Sequence, residues 1–405
     1  MPSPSTYAEA LAPFQAEVAH LIPGEATLFD AHTHLGLDED GRSLDLASLL
    51  GQLDDGGVAR AAVFPLHDPE RAPAYRKPND RVLGWAAESE GRLVPFCRLD
   101  PFDEPVAEGS RCLEGGARGI KLHPRAQSFT FDGQGLESAL EGIFSLAEEA
   151  GAPILIHAGR GLPPIAKGLT ELAMRHPEVV LILAHAAICE QGTLTDGLAD
   201  HPGILYDTSC FHAIDVLALF SRVPAERIVF GSDPPYGRPA SGLYLALRAA
   251  HAEGLDDGAL RAMLGGNMES LFDGTGLPPK SPPRGGDSIV LSSRLARLYA
   301  YTSLAGPALF AGALDRARES LDLALGVCRD PNPGPDGEAL EVVGAALATA
   351  LTLLEGDDAM RLERRGPAID LIFRSMVRAA TARPNAAQAT GQPTLRSSGA
   401  PAPTA

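Results

Sequence analysis

Short apolar runs alternate with longer amphipathic stretches over most of this chain. The runs hold mainly Val, Ile, Leu and Ala and are only a few residues long, which is typical of buried strands. The eight predicted strands are Thr27–Ala31, Ala61–Pro65, Leu93–Leu99, Gly119–Leu122, Pro153–Ile156, Val179–Ala184, Ile204–Asp207 and Ile228–Gly231. Helical spacing of apolar residues predicts intervening helices at Leu44–Asp54, Asn79–Glu88, Pro105–Glu114, Leu136–Glu149, Gly168–Arg175 and Ala240–Ala252.

Strands that are apolar along their whole length, each followed by a helix, indicate a parallel sheet buried on both faces. Eight such units within residues 25–277 fit the size of a (β/α)₈ barrel. An open doubly wound sheet would show a similar alternation, but it gathers only the strand ends beside its switch point. The prediction is therefore an α/β fold, a (β/α)₈ TIM barrel with an α-helical C-terminal appendage.

The segments outside the barrel differ from it in composition. They are an N-terminal helix in residues 1–24, a Pro/Gly-rich linker in residues 278–290, a helical region in residues 291–382 and a disordered tail in residues 383–405. Within the helical region, Ser292–Cys328 and Gly337–Ala380 have amphipathic faces that must be buried. Those faces must pack on the barrel, on each other or on a second subunit. The third alternative would make the protein a homo-oligomer that associates through these helices.

Composition narrows the location and the partners. The formal net charge of −18 argues against nucleic acid as a partner, because the phosphate backbone rewards basic surfaces. Five scattered cysteines without a CxxC pair indicate free thiols in a reducing compartment. The N-terminus lacks a basic segment followed by an apolar one, and no apolar run is long enough to span a bilayer. We therefore expect a cytoplasmic protein that binds neither membrane nor nucleic acid.

Polar residues follow five of the eight predicted strands. They are His32 and His34 after the first strand, Lys121 and His123 at the fourth, His157 after the fifth, His185 after the sixth and Asp233 after the eighth. Each alone has a structural explanation, as a satisfied core histidine or a helix cap. A barrel brings all these strand ends to one place. Neutral imidazole and carboxylate are common ligands of zinc-like ions, so the set predicts a metal site.

The motifs around these residues resemble those of a known superfamily. They read Asp30-Ala31-His32-Thr33-His34, Gly119-Ile120-Lys121-Leu122-His123-Pro124, Ile156-His157-Ala158-Gly159, Leu183-Ala184-His185-Ala186 and Gly231-Ser232-Asp233-Pro234-Pro235. Together they are similar to the amidohydrolase superfamily, and more narrowly to its amidohydrolase-related branch, which includes enzymes like aminocarboxymuconate-semialdehyde decarboxylase. The resemblance covers about residues 25–277 and does not extend to the C-terminal region.

This resemblance implies roles for individual residues. The metal ligands would be His32, His34, His157 and Asp233, with zinc as the expected ion. Asp233 would also contact the attacking water, and His185 would polarise the substrate or carry a proton. If a second ion is present, a carboxylated Lys121 would bridge the two, with His157 and His185 as further ligands. Lys121 could instead be an uncarboxylated cation that binds substrate.

The implied reaction is hydrolysis. A divalent ion lowers the pKa of bound water from about 15.7 to about 7, so that water can attack at neutral pH. We expect attack on a C–N or C–O bond of a small, carboxylate-bearing substrate. The alternatives are a metal-dependent carboxy-lyase on the same site, which would release carbon dioxide, and a catalytically silent scaffold. The ligands alone do not separate hydrolase from lyase.

Further polar residues near the strand ends are candidates for substrate binding. Arg125 is the preferred anchor for a substrate carboxylate, because Pro124 holds it near Lys121 and because arginine binds carboxylates bidentately. The other candidates are His67, His123, Arg160, His212 and Tyr236. His123 is either a substrate contact or a partner that orients a ligand.

Overall fold

The computed structural model describes residues 6–285, 291–356 and 358–382. The predicted tail in residues 383–405 and the last part of the predicted linker lie outside these ranges. Within them, no helix has both the length and the apolar character needed to cross a bilayer.

Nine strands form one sheet in the described residues, in the order β2-β1-β3-β4-β5-β6-β7-β8-β9. Their bounds are β1 Phe29–Leu37, β2 Ser43–Leu44, β3 Arg60–Pro65, β4 Leu93–Arg98, β5 Gly119–Leu122, β6 Ile154–Ile156, β7 Leu181–Leu183, β8 Ile204–Asp207 and β9 Ile228–Val229. Only β2 pairs antiparallel, as a short hairpin with β1. The others form a parallel series in chain order.

Backbone hydrogen bonds close this series into a barrel. Ala31 N–H donates to the Phe230 carbonyl at 2.8 Å, and Asp233 N–H donates to the His32 carbonyl at 2.8 Å. The chain that leaves β9 therefore lies beside β1, and these two bonds join the last strand of the series to the first. The prediction of a TIM barrel over an open sheet is confirmed.

Helices follow the strands and continue beyond the barrel. Their bounds are α1 Tyr7–Leu21, α2 Leu46–Asp55, α3 Arg76–Glu88, α4 Pro105–Glu114, α5 Glu137–Ala150, α6 Ala166–Arg175, α7 Gln191–Gly197, α8 Ala213–Arg222, α9 Pro239–Ala252, α10 Asp257–Arg261, α11 Asn267–Phe272, α12 Ser293–Phe310, α13 Leu314–Cys328, α14 Gly337–Leu353 and α15 Leu362–Thr381. The capping box of Thr6 and Glu9 begins α1, as Ser/Thr-x-x-Glu sequences do.

The strands are packed between two apolar layers, one inside the barrel and one between the strands and the helices. The barrel interior is filled by side chains such as Phe29, Phe64, Phe96 and Leu155. Alternate strand positions pack outward against the helices in a larger, continuous core. This second layer includes residues of α12 to α15, so the appendage shares its core with the barrel.

A bulge in β1 changes the orientation predicted for one motif residue. Strict alternation would place Asp30, His32 and His34 on one side, but β1 has one extra residue relative to β3 at this point. Ala31 packs in the barrel interior. Asp30 instead accepts hydrogen bonds from the Ser232 hydroxyl and from the backbone N–H groups of Ser232 and His32. Asp30 therefore points away from the pair of histidines and holds β1 to the chain after β9.

The described part of the C-terminal region contains four α-helices, where the sequence predicted two helical stretches. A turn at Gly312, with a φ of 75°, separates α12 from α13. In this region α15 packs on α12 and α14, and it also contacts α9 and α8 of the barrel. Each long amphipathic stretch thus folds back on itself and buries many of its apolar residues within the same chain, while Leu304, Phe310 and Leu323 stay exposed.

Candidate active site

A cleft of about 660 Å³ opens at the carboxyl ends of the barrel strands. It is lined by residues from β1, β4 and the loops that follow β5, β6, β7, β8 and β9. Parallel barrels place their functional groups at this end because every strand delivers its last side chains there. The histidines predicted at the ends of the first, fourth, fifth and sixth strands all line this cleft, as does Asp233.

Three ligand-type atoms converge at one side of the cleft. His34 Nε2 lies 3.1 Å from Asp233 Oδ1, and His32 Nε2 lies 3.3 Å from both His34 Nε2 and Asp233 Oδ1. All three side chains are buried. Asp233 has a positive φ of 59°, a backbone conformation that is uncommon for a residue with a side chain and that often marks functional sites.

Asp207, which sequence reasoning did not single out, orients this group. His32 Nδ1–H donates to Asp207 Oδ2 at 2.7 Å, so the His32 Nε2 atom carries the lone pair. The other oxygen, Oδ1, accepts from the His185 and Ser209 N–H groups at 2.7 and 3.0 Å and from the Ser209 hydroxyl at 2.5 Å. Burial would raise the pKa of Asp207, but these hydrogen bonds and the imidazoles hold it below its usual range.

A second pair of ligand-type atoms lies beside the first group. His185 Nδ1–H donates to the Ser209 carbonyl at 2.8 Å, and its Nε2 lies 3.0 Å from His157 Nδ1. His185 also belongs to a compact set with His32 and Asp233, in which one ligand atom of each lies within 4.8 Å of the others. His157, predicted as a ligand of the first ion, contacts His185 and leaves its own Nε2 without a hydrogen-bond partner.

Backbone conformation sets the direction of these two imidazoles. His185, Ala186 and Ala187 have φ values of 58°, 52° and 53°, so the chain turns sharply as it leaves β7. Gly159 follows His157, and a Cβ there would lie 2.8 Å from His185 Cδ2 and 2.9 Å from His157 Cε1. Glycine is required at this position because the two rings occupy the space of a side chain.

Lys121 is buried inside the barrel. Its side chain is fully inaccessible and its Nζ has no hydrogen-bond partner. The ammonium lies 4.5 Å from the centroid of the Phe64 ring, against which His34 also packs. Burial lowers the pKa of Lys121 to about 7, so a large fraction of the amine is neutral near neutral pH.

The donor set fits a divalent ion of the zinc type. Neutral imidazoles and a carboxylate are the ligands that such ions prefer. In metalloproteins a carboxylate or carbonyl group orients each ligating imidazole, and Asp207 and the Ser209 carbonyl have the corresponding positions beside His32 and His185. Burial lowers the pKa values of His34 and His157 well below the usual range and that of His32 to about 4, which keeps the rings neutral. The unpartnered atoms of His157 and Lys121 are buried polar groups that such an ion, or a carboxylated lysine, would satisfy.

Five of the six predicted substrate residues line the cleft, and they differ in exposure. His123 stacks on His157 with 3.9 Å between ring centroids, and its Nδ1 accepts from Ala126 N–H at 3.2 Å. Arg125 is exposed and donates to the Arg160 carbonyl at 3.3 Å. The others that line the cleft are His67, Arg160 and Tyr236.

His212 does not line the cleft. It precedes α8, and its Nδ1 lies 3.4 Å from the Tyr299 hydroxyl of α12. The structure does not support the substrate role predicted for His212, because the loop after β8 directs this ring toward the C-terminal helices. Ser209 and Cys210 of the same loop line the cleft in its place.

Arg98 is a cleft residue that sequence reasoning missed. It ends β4, beside Lys121 in register, and it is 1% exposed. Its guanidinium lies 5.1 Å from the Tyr75 ring centroid. Alternation from Val94 and Phe96, which fill the barrel interior, would have predicted an inward direction for Arg98.

A closed parallel barrel with a buried histidine and aspartate cluster at its strand ends defines a barrel enzyme of the metal-dependent kind. A sequence model described as amidohydrolase matches residues 29–274, which is more than half of the chain. The chain belongs to the amidohydrolase family. This confirms the resemblance at the level of the superfamily.

Solved structures similar to this chain were also found. IDCase of Metarhizium anisopliae, solved in apo form, is 16% identical with a TM-score of 0.47, and the alignment covers 62% of this chain and 97% of that one. An uncharacterized TIM-barrel protein of Bordetella bronchiseptica is 14% identical with a TM-score of 0.46, covering 67% and 96%. No curated protein matches the sequence.

Proposed function

We propose that this protein is a hydrolase that uses zinc or a similar divalent ion to cleave a C–N or C–O bond in a small, carboxylate-bearing substrate. One observation carries the proposal. The Asp233 carboxylate lies within 3.3 Å of two imidazole Nε2 atoms and lines a cleft of about 660 Å³. A carboxylate in that position can serve both as a ligand and as a general base.

The ligand roles follow from the two groups of atoms. His32, His34 and Asp233 would hold one ion, and His157, His185 and a carboxylated Lys121 would complete a site for a second. A divalent ion bound there supplies Lewis acidity and lowers the pKa of a water ligand from about 15.7 to about 7. The barrel supplies the dry surroundings in which these charges act strongly.

Asp233 has the central part in proton transfer. Its carboxylate accepts the proton of the attacking water and later returns a proton to the leaving group. The hydrogen bond from Asp233 N–H to the His32 carbonyl holds its backbone against β1, so the base stays in place during both steps. Phe64 packs against His34 and excludes water from below the site.

The location and assembly are part of the same proposal. The free cysteines support a cytoplasmic enzyme, because thiols stay reduced in that compartment. Exposed apolar side chains on α12 and α13, at Leu304, Phe310 and Leu323, support self-association through the C-terminal helices.

The test combines metal analysis with turnover of a panel of amides, lactams and lactones that carry a carboxylate. We expect one to two equivalents of metal per chain in the purified protein, and Asp233→Asn should lower kcat/KM at least about 100-fold. His251→Ala, on the exposed end of α9, is the control and should keep full turnover. Full turnover by Asp233→Asn would refute the proposal, and release of carbon dioxide without hydrolysis would show a carboxy-lyase.

A further inference from the structure

Arg98 carries a buried charge that forms no ion pair with a described carboxylate, although Asp38 acts on it from a longer distance. Its side chain is 1% exposed, yet no described carboxylate lies within the 4.0 Å of an ion pair. Nη1 donates to the Pro65 carbonyl and Nη2 to His67 Nδ1, both at 3.3 Å, and Nε has no partner. Buried arginines are normally paired, because an isolated charge is costly to remove from water.

The groups that contact the Arg98 guanidinium are neutral and hold it in place. Tyr75 lies under the guanidinium, and its hydroxyl donates to His67 Nδ1 at 2.5 Å. Because His67 Nδ1 accepts from both Tyr75 and Arg98, its remaining proton lies on Nε2. Burial and the adjacent Arg98 charge lower the pKa of His67 to about 4, so this ring stays neutral. Arg98, His67 and Tyr75 form what we call the Arg98 cluster.

The Arg98 cluster opens into the proposed catalytic cleft. Arg98 and His67 line the same cavity as His34 and Asp233. Arg98 is also the register neighbour of Lys121, which points into the barrel from β5. A group bound at the guanidinium would therefore lie close to the proposed reaction centre.

We propose that the Arg98 cluster is the carboxylate-binding subsite of this enzyme. The inference rests on the proposed function, since it names the group by which that cleft would hold its substrate. A guanidinium that is already desolvated and fixed binds a carboxylate more strongly than an exposed one, because solvent screens it less. Arg98 therefore replaces the exposed Arg125 as the anchor.

The same surroundings favour a carboxylate over a phosphate. The cluster supplies one cation, whereas three acids, Asp38, Glu39 and Asp40, line the same cleft. Asp38 Oδ2 accepts from His67 N–H at 3.0 Å, so one of these acids lies directly beside the cluster. A doubly charged phosphate would meet more repulsion there than a singly charged carboxylate.

Calorimetric titration of the full-length protein with benzoate, with its neutral isostere benzamide and with inorganic phosphate tests this subsite. We expect benzoate to bind and benzamide and phosphate to bind at least about tenfold more weakly. Arg98→Gln should weaken benzoate binding about 30-fold, the usual effect of removing one partner of a buried charge pair. Arg316→Gln, at an exposed position of α13 outside the cleft lining, is the control and should change benzoate affinity by less than about threefold. Unchanged benzoate binding in Arg98→Gln, or phosphate binding tighter than benzoate, would overturn the inference.

A second variant and the metal content of the variants exclude two other causes of weaker benzoate binding, namely misfolding and loss of metal. If Arg98→Gln does not fold by circular dichroism, Arg98→Lys keeps the charge without the planar fork and should weaken benzoate binding about tenfold; unchanged binding would again overturn the inference. Arg98 could instead be the partner of a carboxylated Lys121, and the metal content of Arg98→Gln distinguishes this role from substrate binding. Loss of metal from Arg98→Gln with normal benzoate affinity would overturn the subsite. Benzoate binding is measured without turnover, so the two proposals can fail separately. If the wild-type protein hydrolyses no substrate of the panel but Arg98→Gln still weakens benzoate binding, the hydrolase proposal is refuted and the subsite is not.

Discussion

The carboxylate of Asp207 offers a sharp perturbation of the proposed metal centre. Its two oxygens accept four hydrogen bonds, from His32 Nδ1–H, from the N–H groups of His185 and Ser209 and from the Ser209 hydroxyl. In Asp207→Asn one oxygen becomes an NH₂ group, which donates and cannot accept. Wherever this NH₂ group lies, it meets a donor that has lost its acceptor. His32 or the turn that carries His185 then loses its orientation.

The expected losses of zinc affinity and stability follow from the effect of similar substitutions in other metalloproteins. Replacing a group that orients a ligating histidine costs about 10- to 100-fold in metal affinity, or about 1.4 to 2.8 kcal/mol. An unsatisfied buried donor also lowers the free energy of unfolding by about 1 to 3 kcal/mol. We therefore expect weaker zinc binding together with a lower melting temperature.

A competition titration of zinc against a chromophoric chelator at constant pH measures the first effect, and urea unfolding of the metal-free protein measures the second. The control is Asp370→Asn. Its carboxylate is also buried, and it accepts from Tyr7, Ser241 and Arg374, which do not line the cleft. Asp370→Asn should lose similar stability with zinc affinity within about twofold of wild type. Wild-type zinc affinity in Asp207→Asn, or equal affinity losses in both variants, would show that Asp207 does not orient a ligand.

Two other outcomes are expected. Lys121→Ala should lower the metal content from two equivalents toward one by atomic absorption, because it removes the proposed bridging group; unchanged content excludes a bridging role. Glu17→Gln should lower the free energy of unfolding in urea by about 3 kcal/mol, because Glu17 pairs with Arg248 and Arg378 between α1, α9 and α15. Glu338→Gln removes only an exposed contact of Arg378 and should cost less than about 1 kcal/mol; equal losses in the two variants would contradict this ranking.

Most of the barrel was predictable because its strands and helices are encoded by local periodicity. Gly119–Leu122 and Ile204–Asp207 were predicted with the bounds that the structure shows, since apolar runs between loop residues leave little choice. The predicted Ser292–Cys328 stretch was less informative. Its turn at Gly312 interrupts helical spacing for too few residues to separate α12 from α13 by pattern alone.

The candidate site was predictable in its residue types and less so in its geometry. The motif around His32 and His34 and the isolated His157, His185 and Asp233 are visible in the sequence, because strand ends in a barrel share one location. Asp207 was not singled out, although it ends a correctly predicted strand. Its role depends on a 2.7 Å contact with a residue 175 positions away, which periodicity does not encode.

The sequence by itself determined the order of strands and helices, the chemistry of the strand ends and the membership of the family. Only the tertiary structure decided which side chains meet. The bulge in β1 turned Asp30 away from the cleft, left-handed backbone after β7 brought His185 beside His32 and Asp233, and the end of β4 left Arg98 buried without a carboxylate. The physical reason is that apolar burial fixes elements through local spacing, whereas a side chain's direction at a strand end depends on backbone angles and distant packing.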